Sequence, residues 1–596
     1  MNTDKYEFKT KKSVLLYFLK GCKAYFIFGI IFTCALSFAE LINPRVIGLT
    51  VDGLINHDEN ITSNLLYIAL FVVVVALIAA TFRYLFSVLN AKGGERLVKN
   101  MRDGLYEHIM YLPYAWMGEN KTGDIIQRCT SDVDTIKRFI AEELTTLFRT
   151  IVMIAFALAF MVRINVKMTL VSLIFIPVIV GYSLIFHRRI GNAFYKVDVE
   201  EGVLSSIAQE NLTGVRVVRA FGREKYEKQR FMNQNEKYTG MWVHMMRILS
   251  QFWAITDLIS GAQILTVLSV GAVFTVNGHM SAGDFVAFVS YNAMLTWPVR
   301  NLGRIIADMS KAGISIERIR YIMNSAIESD IDEAGDYPSN NDIDFENVSF
   351  DYGDGIKVLD DINLHIKSGT TIGILGKTGS GKSTLVQLLD RLYSLPDDNG
   401  SIKIGGTDIR NIRKDALRNN IGIVLQEPFL FSRTLKENIA ITLPGDNENI
   451  DKQVEDAAKM SHLDRAIKKF AKGYDTIVGE RGVTLSGGQK QRTAIASVLI
   501  RKTPIMIFDD SMSAVDTKTD AAIRKSIKEN TNDTTVILIS HRITTLMMAD
   551  DIIVLDKGKI VEEGSHEELI NSDGLYKKIF ELQSGLMNDA GDEYEK

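Results

Sequence analysis

Polar and apolar positions divide this chain into two halves with different periods. In the first half the apolar residues run in long stretches separated by polar connections. Tyr25–Ile42 is the first stretch, ended by Asn43 and Pro44. Leu65–Phe82 is the cleanest, eighteen residues whose only polar members are Tyr67 and Thr81. Leu144–Val162, Met168–Phe186, Phe252–Val276 and Phe285–Ile306 follow. About 20 apolar residues cross the hydrocarbon core of a bilayer, so the pattern predicts six membrane-spanning helices. A buried helix of a soluble core accounts for any one of these stretches but poorly for six. The two longer connections, Ala91–Glu143 and His187–Gln251, have helical composition and predict helices that leave the bilayer and return through short turns.

Beyond the polar hinge Ser339–Asp344 the period shortens. Ile343–Phe350, Asn363–Ile366, Thr371–Leu375, Ile421–Leu425, Ile505–Phe508 and Val536–Ile539 read as strands, interleaved with helical stretches. That alternation predicts an α/β domain on a mainly parallel sheet. The expected organisation is a polar segment at 1–22, a transmembrane domain at 23–325, a linker at 326–342, an α/β domain at 343–583 and an acidic polar tail at 584–596.

Charge adds an orientation. Lys5, Lys9, Lys11, Lys12, Lys20 and Lys23 precede the first span, and Lys92, Arg96, Lys99, Arg102, Arg128, Lys137 and Arg138 lie between the second and third. Arg188, Arg189, Lys196, Arg216, Arg219 and Arg223 lie between the fourth and fifth. Of lysine and arginine, the alternate connections carry Arg45 alone in 43–64 and none in 277–284. Basic connections stay on the cytoplasmic side, which predicts a multi-pass protein of the cell membrane with both termini cytoplasmic. Met1–Lys12 is basic and polar, and no cleavable signal is expected. The net charge of −4 gives no basic excess for nucleic acid. Three scattered cysteines provide neither a disulfide framework nor a zinc site.

The chemistry centres on Gly376-Lys377-Thr378-Gly379-Ser380-Gly381-Lys382-Ser383-Thr384, which fills every fixed position of the G-x-x-x-x-G-K-[ST] phosphate loop. A strand precedes it and a helical stretch, Leu385–Leu392, follows, as the motif requires. The glycines let backbone N–H groups close on phosphate oxygens at a helix N-terminus. Lys382 would reach the β- and γ-phosphates of ATP, and the Ser383 hydroxyl would ligate Mg²⁺.

Further motifs resemble the ABC exporters over almost the whole chain. Tyr111–Asp134 and Gln209–Glu224 are similar to that family's two cytoplasmic loops, and Leu485-Ser486-Gly487-Gly488-Gln489 is its signature motif. The resemblance implies that Tyr352 stacks on adenine, that Gln426 touches Mg²⁺ and moves with the membrane domain, and that Asp509 associates with Mg²⁺. It implies likewise that Ser513, Ala514 and Asp516 form the D-loop along a dimer seam and that His541 contacts the γ-phosphate. In the family two such domains pair head to tail, so the signature serves the phosphate loop of a second chain. One position departs: the glutamate that polarises the attacking water is Asp510 here, followed by Ser511 and Met512. General-base geometry tolerates little error in reach, and Asp510 is one methylene short.

The expected function is therefore ATP-driven export by one half of a transporter, with ATP hydrolysis as its chemistry. The pattern looks most like one subunit of a heterodimeric multidrug exporter, moving hydrophobic or amphipathic compounds, with a slow ATP site on this chain. Lipid or peptide export, or a homodimer that tolerates Asp510, stays open. Charges at membrane depth are costly and mark interior surfaces. Arg149, Tyr291, Asn292 and Trp297 are the candidates for the transport path.

Overall fold

The computed structural model describes residues 8–330, 334–443, 449–479, 482–530 and 533–592. Lys5, linker residues 331–333 and tail residues 593–596 lie outside that set. Two compact units emerge: Met1–Leu112 with Asn120–Ile327, and Pro113–Glu119 with Glu328–Lys596.

The first unit is helical. Its long helices are α1 (Lys23–Ile55), α2 (Leu65–Met110), α3 (Thr145–Ile164), α4 (Val166–Thr213), α5 (Glu224–Val276) and α6 (Ala282–Asn324). At 1.5 Å per residue, the 46 residues of α2 extend about 69 Å, more than twice the roughly 30 Å bilayer core. The connections that read as helical are thus continuations of spanning helices. Among the described residues, α1, α2, Thr122–Ile164 (which ends in α3), α4 and α5 are long and apolar enough to cross a membrane. The expected sixth span, Phe285–Ile306, lies within α6, which is not among those five. Ser290, Asn292, Thr296, Arg300 and Arg304 dilute its apolar character. Pro44 does not end α1, which continues to Ile55. A proline removes one backbone hydrogen bond, and neighbouring helices in a bundle compensate.

Charges at membrane depth are paired across helices, as their desolvation cost demands. Glu40 of α1 meets Arg83 of α2 at 2.6 Å and Arg149 of α3 at 3.1 Å. Arg300 of α6 meets Asp257 of α5 at 2.8 Å and donates to the Thr256 hydroxyl at 2.9 Å. At its far end α4 stops at Thr213, and a short helix, Val215–Ala220, leads into α5. Leu212, Val217 and Phe221 in this turn are exposed.

The second unit contains two sheets. One is antiparallel in the order β2 (Leu359–Ile366), β1 (Ile343–Phe350), β4 (Ser401–Ile404), β5 (Thr407–Asp408). The other runs β10 (Lys559–Gly564), β9 (Asp551–Asp556), β3 (Thr371–Gly376), β8 (Thr535–Ile539), β7 (Ile505–Asp509), β6 (Ile421–Val424). All its neighbours are parallel except the β10–β9 pair. Every residue of β7 and β8 is buried, as expected of strands covered on both faces. The registers Ile374↔Ile539 and Asp509↔Ile539 align the carboxyl ends of β3, β8 and β7. The loops leaving those ends therefore converge at one edge, where open α/β sheets bind ligands. The helix Leu575–Asp592 crosses the boundary expected at 583, because its apolar face packs Leu575, Ile579 and Phe580 against the sheet core.

Candidate nucleotide site

The phosphate loop leaves β3 at Gly376 and feeds helix α7 (Lys382–Leu389). This helix starts three residues before the expected Leu385 because Gly381, its N-cap, sits at φ 102°. A side chain there would be strained, and its Cβ would approach Leu359 Cδ2 to 2.6 Å and Val358 O to 2.8 Å. The helix ends at Leu389 rather than Leu392, since Arg391 turns left-handed at φ 50°. No side chain caps its N-terminus. Lys382 is 6% exposed and folds back over the loop, its Nζ donating to Gly376 O at 2.8 Å and Lys377 O at 2.7 Å. The Ser380 hydroxyl is buried with no hydrogen-bond partner. Lys377, Thr378 and Gly379 form the turn that leads to Ser380, whose N–H donates to Lys377 O at 3.1 Å.

Asp509 ends β7 beneath this loop. Burial holds the Lys382 ammonium below its usual range, against the opposing charges of Asp509 and Asp510. Burial pushes the Asp509 carboxyl up, partly offset by a hydrogen bond with Ser383 and then raised again by Asp510, while Lys382 and His541 act the other way. The charges of Asp509 and Asp510 thus bear on the Lys382 ammonium, and those of Lys382, Asp510 and His541 on the Asp509 carboxyl. Asp510 takes a left-handed backbone (φ 43°), and its N–H donates to Ile539 O at 2.9 Å. Its neighbour Ser511 is 1% exposed with an unpartnered hydroxyl.

Tyr352 donates or accepts a 2.8 Å hydrogen bond with Thr384 Oγ1, and its ring meets Phe350 and Tyr393 edge-on at 5.1 and 5.0 Å. It is 45% exposed, which leaves ring surface for a base. Sequence reasoning missed Tyr393, whose ring also meets Tyr114 edge-on at 5.5 Å within this unit. Gln426 is exposed just after β6.

The signature residues occupy a different surface. Ser486 caps helix α8 (Gly487–Leu499), accepting from Gln489 N–H at 3.3 Å while Gln489 Oε1 accepts from Ser486 N–H at 2.9 Å. Leu485 is buried in the helical core, and Ser486 and Gly487 are exposed, with Gly488 beside the D-loop carbonyl of Ala514. The D-loop is held from both sides by residues the motifs do not include. Gln491 of α8 accepts from Ala514 N–H at 3.0 Å and donates to Ser513 Oγ at 3.3 Å. Arg542 donates to Ser513 O at 2.7 Å and Val515 O at 3.3 Å, and Asp516 caps the following helix by accepting from Thr519 N–H. Their one sequence signal was adjacency to recognised motifs.

The path candidates separate. Tyr291 is fully buried, donates to Leu41 O at 2.9 Å and stacks on Phe160. Asn292 is 1% exposed and accepts from Ser172 at 2.6 Å and Gln263 at 2.8 Å. These two side chains join helices instead of facing open space, a correction to the reading of their polarity as a path surface. Trp297 is 58% exposed and stacked on Trp253, while Arg149 is paired with Glu40 yet partly accessible.

Comparison with known proteins agrees with this geometry. The family model for the ABC transporter transmembrane region matches residues 26–299, and that for the ABC transporter matches 359–513. The Bacillus subtilis ABC transporter ATP-binding protein YknU is 33% identical, covering 96% of this chain and 97% of its own length. The probable multidrug resistance ABC transporter ATP-binding/permease protein YheI of the same organism is also 33% identical, over 96% of this chain and 98% of its own. A lipid A-core flippase of Syntrophus aciditrophicus is 31% identical over 87% of this chain and 85% of its own length. Among solved structures, a bacterial Atm1-family ABC exporter with ATP bound superposes with a TM-score of 0.81 and 25% identity, over 95% of this chain and 98% of that one. The chain belongs to the ABC exporters: a membrane-spanning helical domain fused to an ATP-binding, ATP-hydrolysing domain.

Proposed function

We propose that this chain is one half of a heterodimeric exporter of hydrophobic or amphipathic compounds, and that its own ATP site turns over slowly. The observation that carries the reading is Asp510, a short carboxylate in the base position of an otherwise complete phosphate-loop site, combined with an intact and exposed signature. Two chains with Asp510 would leave no well-placed base in either site. A partner that supplies a longer carboxylate would instead hydrolyse ATP between its own phosphate loop and Ser486 of this chain. The uncovered apolar side chains fit an incomplete assembly: Phe221, Leu212 and Val217 in one unit, and Phe429 and Phe431, next to Gln426, in the other. Each unit leaves a surface of the kind a second half-transporter buries.

In this reading ATP binds with Mg²⁺, held by the Ser383 hydroxyl and the Asp509 carboxylate with Gln426 completing the set. Oxygen donors of this kind suit that ion; Ser383 lies in the first turn of α7 and Asp509 ends β7. Mg²⁺ would neutralise charge on the transferring phosphoryl group, and Asp510 would act, weakly, as base on the attacking water. Both termini lie on the cytoplasmic side with the basic connections. Trp297 and Arg149 face the path, with substrate drawn from the lipid phase. Likeness to a multidrug resistance transporter supports the substrate class, and likeness to the lipid A-core flippase supports a lipid as a second reading.

The test compares Ser486→Ala with Asp510→Ala in the assembled pair. Removing a general base costs about 10²–10⁴-fold where that base carries turnover. The expected result is a large loss of total ATPase for Ser486→Ala and a far smaller one for Asp510→Ala. Robust hydrolysis and transport by this chain alone, abolished by Asp510→Ala, would overturn the reading.

A further inference from the structure

Past the end of β8 the chain turns through Ser540–Ile543, the segment that carries His541. One side of this turn is tied to the D-loop by Arg542, and the Arg542 N–H also donates to Ser540 Oγ at 3.0 Å. The other side is held from the C-terminal helix α9 (Leu575–Asp592). There the amide of Gln583 donates through Nε2 to His541 O at 2.8 Å and accepts through Oε1 from Ile543 N–H at 3.0 Å. One planar side chain thus fixes two peptide groups on either side of Arg542, which sets the backbone from which the imidazole projects.

The helix that carries Gln583 is firmly seated. Glu562 of β10 accepts from the N–H groups of Leu575 and Tyr576, placing a carboxylate at the positive end of α9. Tyr576 is fully buried in the sheet core, its hydroxyl bonded to His566 Nδ1 at 2.7 Å. Tyr576, Ile579, Phe580 and Gln583 follow the i, i+3, i+4, i+7 spacing of one helix face. The first three bury apolar surface, and a leucine at 583 would continue the stripe. A glutamine there gives up apolar burial, and the two bonds to the turn are what it gains.

We propose that Gln583 is the positioning residue for His541: it holds the histidine's backbone so that the imidazole meets the γ-phosphate of ATP bound in this chain's own phosphate loop. Gln583 does not touch nucleotide and acts through His541. The proposal rests on His541 acting at that phosphate, a role the family resemblance assigns.

The experiment uses the full chain assembled with its partner in membranes and labelled with 8-azido-ATP carrying radioactivity in either the α- or the γ-phosphate. Retained α-label reports binding on this chain, and loss of γ-label relative to α-label reports cleavage there, whichever site dominates total turnover. Gln583→Leu removes both bonds at similar volume, and Gln583→Glu keeps the acceptor for Ile543 N–H while losing the donor to His541 O. Both should slow γ-label loss roughly tenfold, part of the 10²-fold that about 1 Å of misplacement can cost, with α-label unchanged. Neither should slow cleavage further in a His541→Ala chain, because the two residues act as one unit. Unchanged cleavage in Gln583→Leu beside slow cleavage in His541→Ala overturns the proposal alone. Equal slowing by Gln583→Leu with and without His541 assigns the glutamine a purely structural role and also overturns it. Unchanged cleavage in His541→Ala removes the histidine's role and this proposal together.

Discussion

The phosphate loop and the signature motif both lead through glycines into a helix, yet the chain finishes them in opposite ways. Helix α7 begins at a left-handed glycine with no side-chain cap, and its Lys382 and the preceding loop residue Ser380 are buried. A missing cap forgoes about 1 kcal/mol of helix stability and leaves the first N–H groups to a ligand. Helix α8 has a complete capping box between Ser486 and Gln489, and Ser486 and Gly487 at its start are exposed. The first turn has no side-chain cap, which leaves its N–H groups open to a phosphate. The second is completed by its own capping box and, in the proposed assembly, meets nucleotide bound to the partner. In the proposed assembly one chain carries two unlike halves of an ATP site, and the difference is local chemistry, set within a few residues of each glycine.

The strongest way to break this comparison is Lys382→Ala. Its ammonium donates to the Gly376 and Lys377 carbonyls of the loop, and on ATP binding those bonds should exchange for charge-assisted contacts with phosphate. Such contacts contribute about 1.5–3 kcal/mol, so ATP retention on this chain should fall roughly 10- to 100-fold. Photolabelling of the separated chains measures it, with labelling of the partner little changed. Equal loss on both chains would show that the two halves are not independent.

A smaller effect sharpens the chemistry of the base. Asp510→Glu should speed γ-phosphate cleavage on this chain by about tenfold, because the added methylene restores reach to the water. The gain stops short of a full active site, since the left-handed backbone at Asp510 and the buried Ser511 hydroxyl remain. Single-turnover cleavage on this chain is the measurement. An unchanged rate would place the defect in the backbone of the turn and not in side-chain length.

Much of this was legible in advance for physical reasons. Phosphate chemistry dictates residue types at fixed spacing, so the loop Gly376–Thr384 was legible from its motif, while Asp509 and His541 were singled out by the family resemblance. Parallel strands buried on both faces read as continuous apolar runs, which located β7 and β8 to within a residue. Long-range packing was less visible. Polarity placed Asn292 and Tyr291 at membrane depth, but sequence alone does not reveal that Ser172, Gln263 and Leu41 lie opposite them. Tyr393, Gln491 and Arg542 act through partners far away in the chain and belong to no local pattern. Pro44 misled for a related reason: its helix-breaking tendency is intrinsic, while its tolerance comes from neighbouring helices.

The opposite end of α7 offers the smallest and most specific test. Lys382 is a buried charge that bound ATP should relieve, whereas Asp390, which caps the carboxyl end of the same helix, is buried at the end away from the phosphate loop. Its Oδ1 has no hydrogen-bond partner. Burial pushes its carboxyl up from 3.8 to about 7, with Glu328 adding to the rise and Arg418 and Arg501 opposing it. Because the folded value is the higher one, the folded chain binds the proton more tightly than the unfolded chain does. Stability is then greatest at acid pH, declines as pH rises from about 4 to about 7, and levels off above. A tenfold change in proton affinity is worth about 1.4 kcal/mol, so this carboxyl contributes a few kcal/mol across that range. Asp390→Asn keeps the shape, removes the ionisation and should flatten this component of the pH profile. The expected outcome is a thermal midpoint a few degrees above that of the unchanged protein near pH 8, with the gap closing toward pH 5. A midpoint lowered at pH 8 would show that Arg418 and Arg501 depend on the Asp390 charge, and that the chain tolerates a buried ion at both ends of α7 for its ion pairs rather than for nucleotide.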